Sequence, residues 1–324
     1  MVLNRIRIRL VAIVLSLLSG AIVAHAQETR AFTDDLGREV QVPVRPLRIV
    51  SLHDLDITIP LIELGVPPIA SHGRTALDGR HFLRSSALLT GVDFDNSNIQ
   101  FIGTANIDLE AVVAAKPDLI ITEPSRDTPI EQLEKIAPTV SIDNRIGSAP
   151  RIYATLANLT GTQARLALLE RRYQEQISQL KRVIDTNKIT VSVLQANKGK
   201  ITVHHTQSSL GRVLRDAGFK FPAIMDDIPE GQRIDVSAER LPELDADFIF
   251  DTFRSDTGGK PVDEIAEMEK VLPGYCQFLT ACREGRYVIL AREETITNSF
   301  AALSLLVSTI QAQISGRPLP KFAQ

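Results

Sequence analysis

The chain carries one segment twice. The first copy is Ile107-Asp108-Leu109-Glu110, then AVVAAK, then Pro117-Asp118-Leu119-Ile120-Ile121, ending near Arg126. The second is Val236-Ser237-Ala238-Glu239, then RLPELD, then Ala246-Asp247-Phe248-Ile249-Phe250, ending near Arg254. Glu110 and Asp118 stand as far apart as Glu239 and Asp247. Each copy reads as a helix cap, a short amphipathic helix, a buried strand and an arginine just past the strand. A chain that repeats such a unit is expected to fold as two lobes of one design. Two-lobed proteins commonly hold small molecules between the lobes.

The N-terminus predicts where the protein works. Arg5, Arg7 and Arg9 form a basic stretch, Leu10 to Leu18 is apolar apart from Ser16, and Ala24-His25-Ala26 fits a small-residue cleavage site before Gln27. This is the pattern of a secretory signal peptide over residues 1–26. The apolar run is short for a membrane span, which needs roughly 20 residues. No Cys follows the cleavage site, so no lipid anchor is expected, and an unanchored exported protein fits a periplasm. The formal net charge of −3 becomes −6 without the three leader arginines. A mildly acidic chain with no basic run argues against nucleic acid as a partner.

The rhythm of the remaining chain predicts an α/β fold. Arg48 to Leu52, Pro68 to Ser71 and Thr139 to Ile142 read as strands alternating with helices at 54–65 and 130–136, the mark of a parallel sheet. Residues 150–185 break this rhythm. Apart from Gly161 they form a periodic run through Leu166, Leu169, Tyr173, Ile177 and Leu180, as on a packed helix of ~25 residues spanning roughly 37 Å. A second lobe follows. Ile189 to Leu194 and Lys200 to Val203 read as adjacent strands joined at Asn197-Lys198-Gly199, and Thr297 to Ile314 reads as a closing helix. The expected domains are an N-terminal lobe at 27–149, a linking helix at 150–185 and a C-terminal lobe at 186–324. A helical strut predicts small rocking of the lobes rather than wide closure. Cys276 and Cys282 either close a small disulfide loop, which an oxidising compartment favours, or remain two buried thiols. Their spacing is not a zinc pattern.

These strings resemble the bacterial periplasmic binding proteins of the ferric siderophore and cobalamin uptake systems. Phe32-Thr33-Asp34-Asp35-Leu36-Gly37-Arg38 with Arg48-Ile49-Val50 is similar to that family's opening. Gly103-Thr104-Ala105 leading into Leu109-Glu110-Ala111-Val112 and Lys116-Pro117-Asp118-Leu119-Ile120 resembles its most typical segment. Ser125-Arg126, Phe253-Arg254 and His205-Thr206-Gln207 most resemble the ferric dicitrate-binding branch. The resemblance implies two Rossmann-like lobes, with largely parallel sheets, joined by one long α-helix. It implies capture of a ferric siderophore, of carboxylate or citrate type, and delivery to an inner-membrane ABC permease dimer with its ATPase. The chelator would fill the iron's coordination sphere, so no cofactor and no protein metal site are expected. The protein is expected to be a monomer and not an enzyme.

Arginine suits recognition of such a chelate, because its planar cation pairs bidentately with carboxylates. Arg126 and Arg254 follow strand ends, where open α/β sheets place ligands. Arg74 and Arg292 also follow strands and are weaker candidates, as is His205. For each, the competing reading is an ordinary solvated surface group. Glu110 and Glu239 have two readings as well. A carboxylate in a first helical turn favours the helix dipole. The resemblance instead implies one docking glutamate per lobe for the permease.

Other classes fare less well. There is no Gly-x-Ser-x-Gly elbow, P-loop or dinucleotide fingerprint, which leaves a periplasmic hydrolase as a distant alternative. Cobalamin or haem is the nearer one. Either would benefit from stacking aromatics, yet the chain has no Trp and four Tyr. A haem would also want an axial ligand, with Tyr275, Tyr287, His53 and His81 as candidates.

Overall fold

The computed structural model describes residues 28–317 and Leu319; the expected leader at 1–26 lies outside them. The chain opens with an antiparallel hairpin of β1 (Thr29–Thr33) and β2 (Glu39–Pro43). β3 (Ile49–Ser51) and β4 (Ala70–Ser71) follow, then a small hairpin of β5 (Arg74–Thr75) and β6 (His81–Phe82). With β7 (Gln100–Phe101), β8 (Leu119–Thr122) and β9 (Thr139–Ser141), the N-lobe forms a five-stranded sheet in the order β7-β4-β3-β8-β9, parallel throughout. Both faces of the sheet are covered, so β3, β8 and β9 are wholly buried apolar or small-polar runs. Alternation along the strands sorts their side chains. Ile49, Leu119, Ile121 and Val140 pack toward the linking helices, while Val50, Ile120 and Ala70 pack toward Val112 and Leu133.

The C-lobe is built from two sheets. β10 (Val191–Val193), β14 (Phe248–Phe253) and β15 (Tyr287–Ala291) are parallel, with β14 central. β11 (Gln195–Asn197), β12 (Lys200–His204) and β13 (Arg233–Val236) form an antiparallel sheet. The expected pairing of 189–194 with 200–203 is therefore corrected. The turn at Lys198-Gly199 joins β11 to β12, and β10 belongs to the other sheet.

The linking region also differs in detail from one unbroken helix over 150–185. Ser148–Thr160 stops at Gly161, whose φ of +71° lets its N–H cap Ala157. Gln163–Val183 then runs for 21 residues, or about 31 Å. The expected helix at 54–65 likewise begins as a π-helical turn, Asp54–Thr58, before Ile59–Glu63. Cys276 and Cys282 are bridged, with Cα atoms 5.1 Å apart.

The lobes meet at the start of the final helix, Phe300–Ser315. Glu63 of the N-lobe accepts a hydrogen bond from the Ala301 backbone N–H at 3.0 Å and another from the Tyr153 hydroxyl of the linking helix. Tyr153 is fully buried and packs edge-on against Phe300. Glu63→Ala should leave that hydroxyl unpaired and cost about 1–3 kcal/mol in urea unfolding. Glu63→Gln, which keeps an acceptor, should lose less. An Ala variant as stable as the wild type would remove Glu63 from the joint.

Candidate ligand-binding cleft

The loops that leave the C-terminal ends of the parallel strands face each other across an interlobe cleft of about 620 Å³. His53, Asp56 and Arg84 reach it from the N-lobe; His204, Arg233 and Arg292 reach it from the C-lobe. His204 is held neutral, with a pKa lowered to about 4 by burial and by the charges of Arg233 and Arg292. Burial likewise depresses His53 well below the ordinary histidine range, and its Nδ1 accepts the Asp56 backbone N–H at 3.0 Å. The lasting positive charge of the cleft is therefore arginine.

Five arginines around the cleft sense one another; Arg84 and Arg292 line it, whereas Arg74, Arg126 and Arg254 do not. Burial lowers the pKa values of Arg74, Arg126 and Arg292, and each also feels the Arg84 cation. Arg254 feels Arg84 too, although its pKa is raised, first by its hydrogen bonds to Asp256. Acids from the same loops answer several of these charges. Arg254 pairs bidentately with Asp256 at 3.2 and 3.0 Å. Arg126 Nε lies 3.3 Å from Glu123, and Arg292 lies 3.9 Å from Glu293. Arg84 pairs with Asp54 through Nε at 2.9 Å and Nη2 at 2.5 Å. Arg74 Nε and Arg126 Nε are both buried with no hydrogen-bond partner. The arrangement holds cations ready for an anionic group that can complete their hydrogen bonds.

A second set of groups closes the cleft at the lobe junction. Asp56 accepts the Asn298 backbone N–H of the C-lobe at 2.9 Å and the Asn144 amide at 2.7 Å. Asn298 in turn donates to the Asn144 carbonyl at 3.2 Å. Burial raises the Asp56 pKa to about 6, against the pull of these donors.

Each sequence candidate can now be placed. Arg126 follows β8 and its side chain is 12% exposed; Arg254 follows β14 and is 52% exposed. Arg74 opens β5 and Arg292 follows β15 into the cleft lining. His205 sits between the cleft-lining His204 and Thr206 but does not line the cleft itself, and its Nδ1 is buried without a partner. Tyr275 is buried and packs against Tyr287, whose hydroxyl donates to Asp251, so both belong to the C-lobe interior. His81 stacks on Phe101 beside the β5–β6 hairpin. Among the described residues, no group of three or more His, Cys, Asp or Glu side chains is placed to hold a metal ion.

Glu110 is exposed in the first turn of Leu109–Ala114, where Asp108 accepts the N–H groups of Glu110 and Ala111 at 2.9 and 3.1 Å. Glu239 is exposed in the first turn of Ala238–Leu244, a 3₁₀ helix because Pro242 interrupts it. Ser237 makes no backbone cap there. The Glu239 carboxyl is held low by its own N–H and by the Ser237 hydroxyl. In each copy the helix runs back to the start of the strand that follows it. Its first turn therefore stands at the edge of the lobe from which the cleft arginines emerge.

Sequence reasoning missed Arg84, Asp54, His72, Asp56, Asn144 and Asn298. One signal was present: Asp54 and Asp56 interrupt an otherwise apolar run, and acids are rarely buried unless paired.

The family model described as periplasmic binding protein matches residues 92–286, more than half of the chain, and the protein belongs to that family. A probable siderophore-binding lipoprotein of Bacillus subtilis, YfiY, is 28% identical over 69% of this chain and 69% of its own length. The iron(3+)-hydroxamate-binding protein FhuD of the same organism is 27% identical over 44% of this chain and 47% of its own. The fold matches that of SirA from Staphylococcus aureus, solved in complex with staphyloferrin B. Its TM-score is 0.73 at 20% identity, covering 89% of this chain and 99% of that one. The FhuD protein from S. pseudintermedius gives 0.70 at 17% identity, over 90% and 100% of the two chains. The two-lobed α/β architecture is thus that of the family.

Asp56 carries a pH signature. Its native pKa of about 6 lies above the ordinary 3.8. The folded state therefore binds this proton more readily than the unfolded chain, and ionisation weakens folding as pH rises from about 4 to about 6, by about 3 kcal/mol at most. Asp56→Asn lacks this titration. By scanning calorimetry, the wild type should gain in Tm relative to the variant as pH falls from 7 to 4.5. A difference that stays constant over this range would show that the Asp56 pKa is not raised.

Proposed function

We propose that the protein captures a ferric siderophore in the interlobe cleft and delivers it to an inner-membrane ABC permease, performing no chemistry itself. Carboxylate-bearing, citrate-type chelates are the favoured class. The observation that carries this reading is that Arg84 of one lobe and Arg292 of the other line the cleft, with Arg74, Arg126 and Arg254 near enough to feel the Arg84 charge. Buried guanidinium groups are costly unless a counter-charge completes them. An anionic chelate supplies several carboxylate oxygens at once. The ligands named for the relatives, siderophores and an iron(3+)-hydroxamate, support a ferric chelate as the cargo. Iron enters as cargo inside its chelator, and the protein recognises the chelator's outer surface. The protein is read as a monomer working outside the inner membrane.

Glu110 and Glu239 are assigned to docking. They occupy equivalent places in the two copies of the repeat, and both are exposed in a first helical turn. One carboxylate on each lobe suits a two-fold-related permease that presents a basic group to each.

Calorimetry with ferric citrate, a ferric hydroxamate, a ferric catecholate, haem and cobalamin tests the ligand assignment. Ferric citrate should bind with saturation and without turnover. Arg126→Ala and Arg254→Ala should each weaken it by about 1.5–3 kcal/mol, roughly ten- to a hundredfold. Tight binding of haem or cobalamin alone would overturn the siderophore reading. Unchanged affinity in both variants would remove these residues from the site.

Docking is tested in cells. The double variant Glu110→Ala with Glu239→Ala should keep its chelate affinity yet lose iron uptake, and association of the wild type with the permease should weaken as salt is raised. Normal uptake by the folded double variant would sink the docking assignment alone.

A further inference from the structure

Behind the cleft wall lies an acid that a purely electrostatic site would not keep. Asp54 is wholly buried at the start of the π-helical turn that follows β3. Its oxygens receive three donors from Arg84: the backbone N–H at 3.2 Å, Nε at 2.9 Å and Nη2 at 2.5 Å. His72, the first residue after β4, brings its Nδ1 within 3.3 Å of the same carboxylate. Arg84 comes from a third segment, after β6, and the next residue, Ser85, sits at φ +54°. The Arg84 side chain is 8% exposed and lines the cleft. Asp54 therefore ties its own loop to that of Arg84 at the strand ends, with the His72 ring packed against it, and occupies two corners of the guanidinium. It leaves Nη1 as the corner it does not bond.

We infer that Asp54, backed by His72, is a positioning residue for ligand binding that locks Arg84 so that one corner of its fork is presented to an anionic group of the cargo. This inference rests on the cleft being the chelate site. The chemistry favours a lock. An arginine side chain carries large rotamer entropy, and a side chain ordered before binding need not lose that freedom when the ligand arrives. Single-turn π insertions in helices are frequent at functional sites. Asp54 also stays charged in this setting. Burial would raise its pKa, but the Arg84 hydrogen bonds and charge, with help from His72, hold it well below the usual carboxylate range.

The lock and a simple field effect predict opposite signs. Removing a buried negative charge beside a cationic cleft should tighten anion binding if field alone matters. If Asp54 positions Arg84, the same change should weaken it.

The test combines calorimetry with ferric citrate and NMR of the arginine side chains in the full mature protein. Asp54→Asn should weaken ferric citrate at least about tenfold, the equivalent of 1.4 kcal/mol. Asp54→Glu keeps the charge but moves it by one methylene. It should also weaken binding, whereas a field-only role predicts no change. In an Arg84→Lys background, Asp54→Asn should add little, because the residue through which it acts is gone. In the ligand-free wild type, the Arg84 Nε–H signal, identified by its loss in Arg84→Lys, should exchange with solvent far more slowly than that of the exposed Arg254. Unchanged or tighter binding by a folded Asp54→Asn, or a full tenfold loss persisting in the Arg84→Lys background, would overturn the inference. Rapid exchange at Arg84 would overturn it even if the Asn variant failed to fold. If the wild type bound no chelate of the panel, the functional reading would fall. The exchange measurement would still decide whether Asp54 holds Arg84.

Discussion

The first turn of the final helix is where the two lobes become one molecule. The exposed N–H groups of a helix start need acceptors, and a carboxylate there also meets the favourable end of the helix dipole. Here Ser299 supplies a local cap to Ala302, while the N-lobe supplies Glu63 to Ala301 and Asp56 to the neighbouring Asn298. Both acids come from the short segment that follows β3. A helix of one lobe is thus partly capped by the other. That joint sets the separation of the two strand-end edges, and the separation sets the width of the cleft. The hydrophobic layer around Tyr153, Tyr173 and Phe300 backs it, so relative motion of the lobes has to disturb packing as well as hydrogen bonds.

The same segment serves the cleft. Asp54 faces Arg84, and Asp56, two residues along, faces Asn144 and Asn298. In a regular helix, residues two apart point to different sides, and the π-helical turn keeps both acids buried. One acid is held ionised by arginine; the other is pushed toward its neutral form by burial. The contrast follows from the partners. Asp54 meets a full cation at hydrogen-bond distance, whereas Asp56 meets amide donors, which only partly offset desolvation. The cleft is thereby built from cations with designated counter-charges, not from a bare positive surface.

Much of the architecture was legible because it rests on local patterning. Parallel strands covered on both faces read as short apolar runs, and the duplicated segment led directly to Arg126 and Arg254 at strand ends. The features that could not be read depend on contacts between distant residues. Arg84 lies thirty positions from Asp54 and sits in no periodic element that would mark it. Asn298 meets Asp56 across 242 positions. The pairing of β10 was misread for a related reason. The apolar run at 189–194 and the turn at Lys198-Gly199 are both local signals, but only the central position of β14 decides which sheet receives β10. Ser237 resembles Asp108 in sequence, yet Pro242 tightens its helix into 3₁₀ form and the serine turns to Glu239 instead of to the backbone.

The repeat places the proposed cargo-binding arginines and the proposed docking glutamates in one unit. Within each copy, the helix start and the strand end lie at the same edge of the lobe, because the helix and the strand run in opposite directions. A glutamate in the first turn and an arginine past the strand thus recur in each copy, although a helix and a strand separate them in sequence. Duplicating the unit duplicates both groups, giving each lobe one exposed acid in a first helical turn and one arginine past a strand end. Any shift of the lobes at the final helix moves the two arginines and the two glutamates together. Under the docking proposal, a partner that reads the spacing of Glu110 and Glu239 would therefore also read, through rigid lobes, the width of the cleft between Arg84 and Arg292.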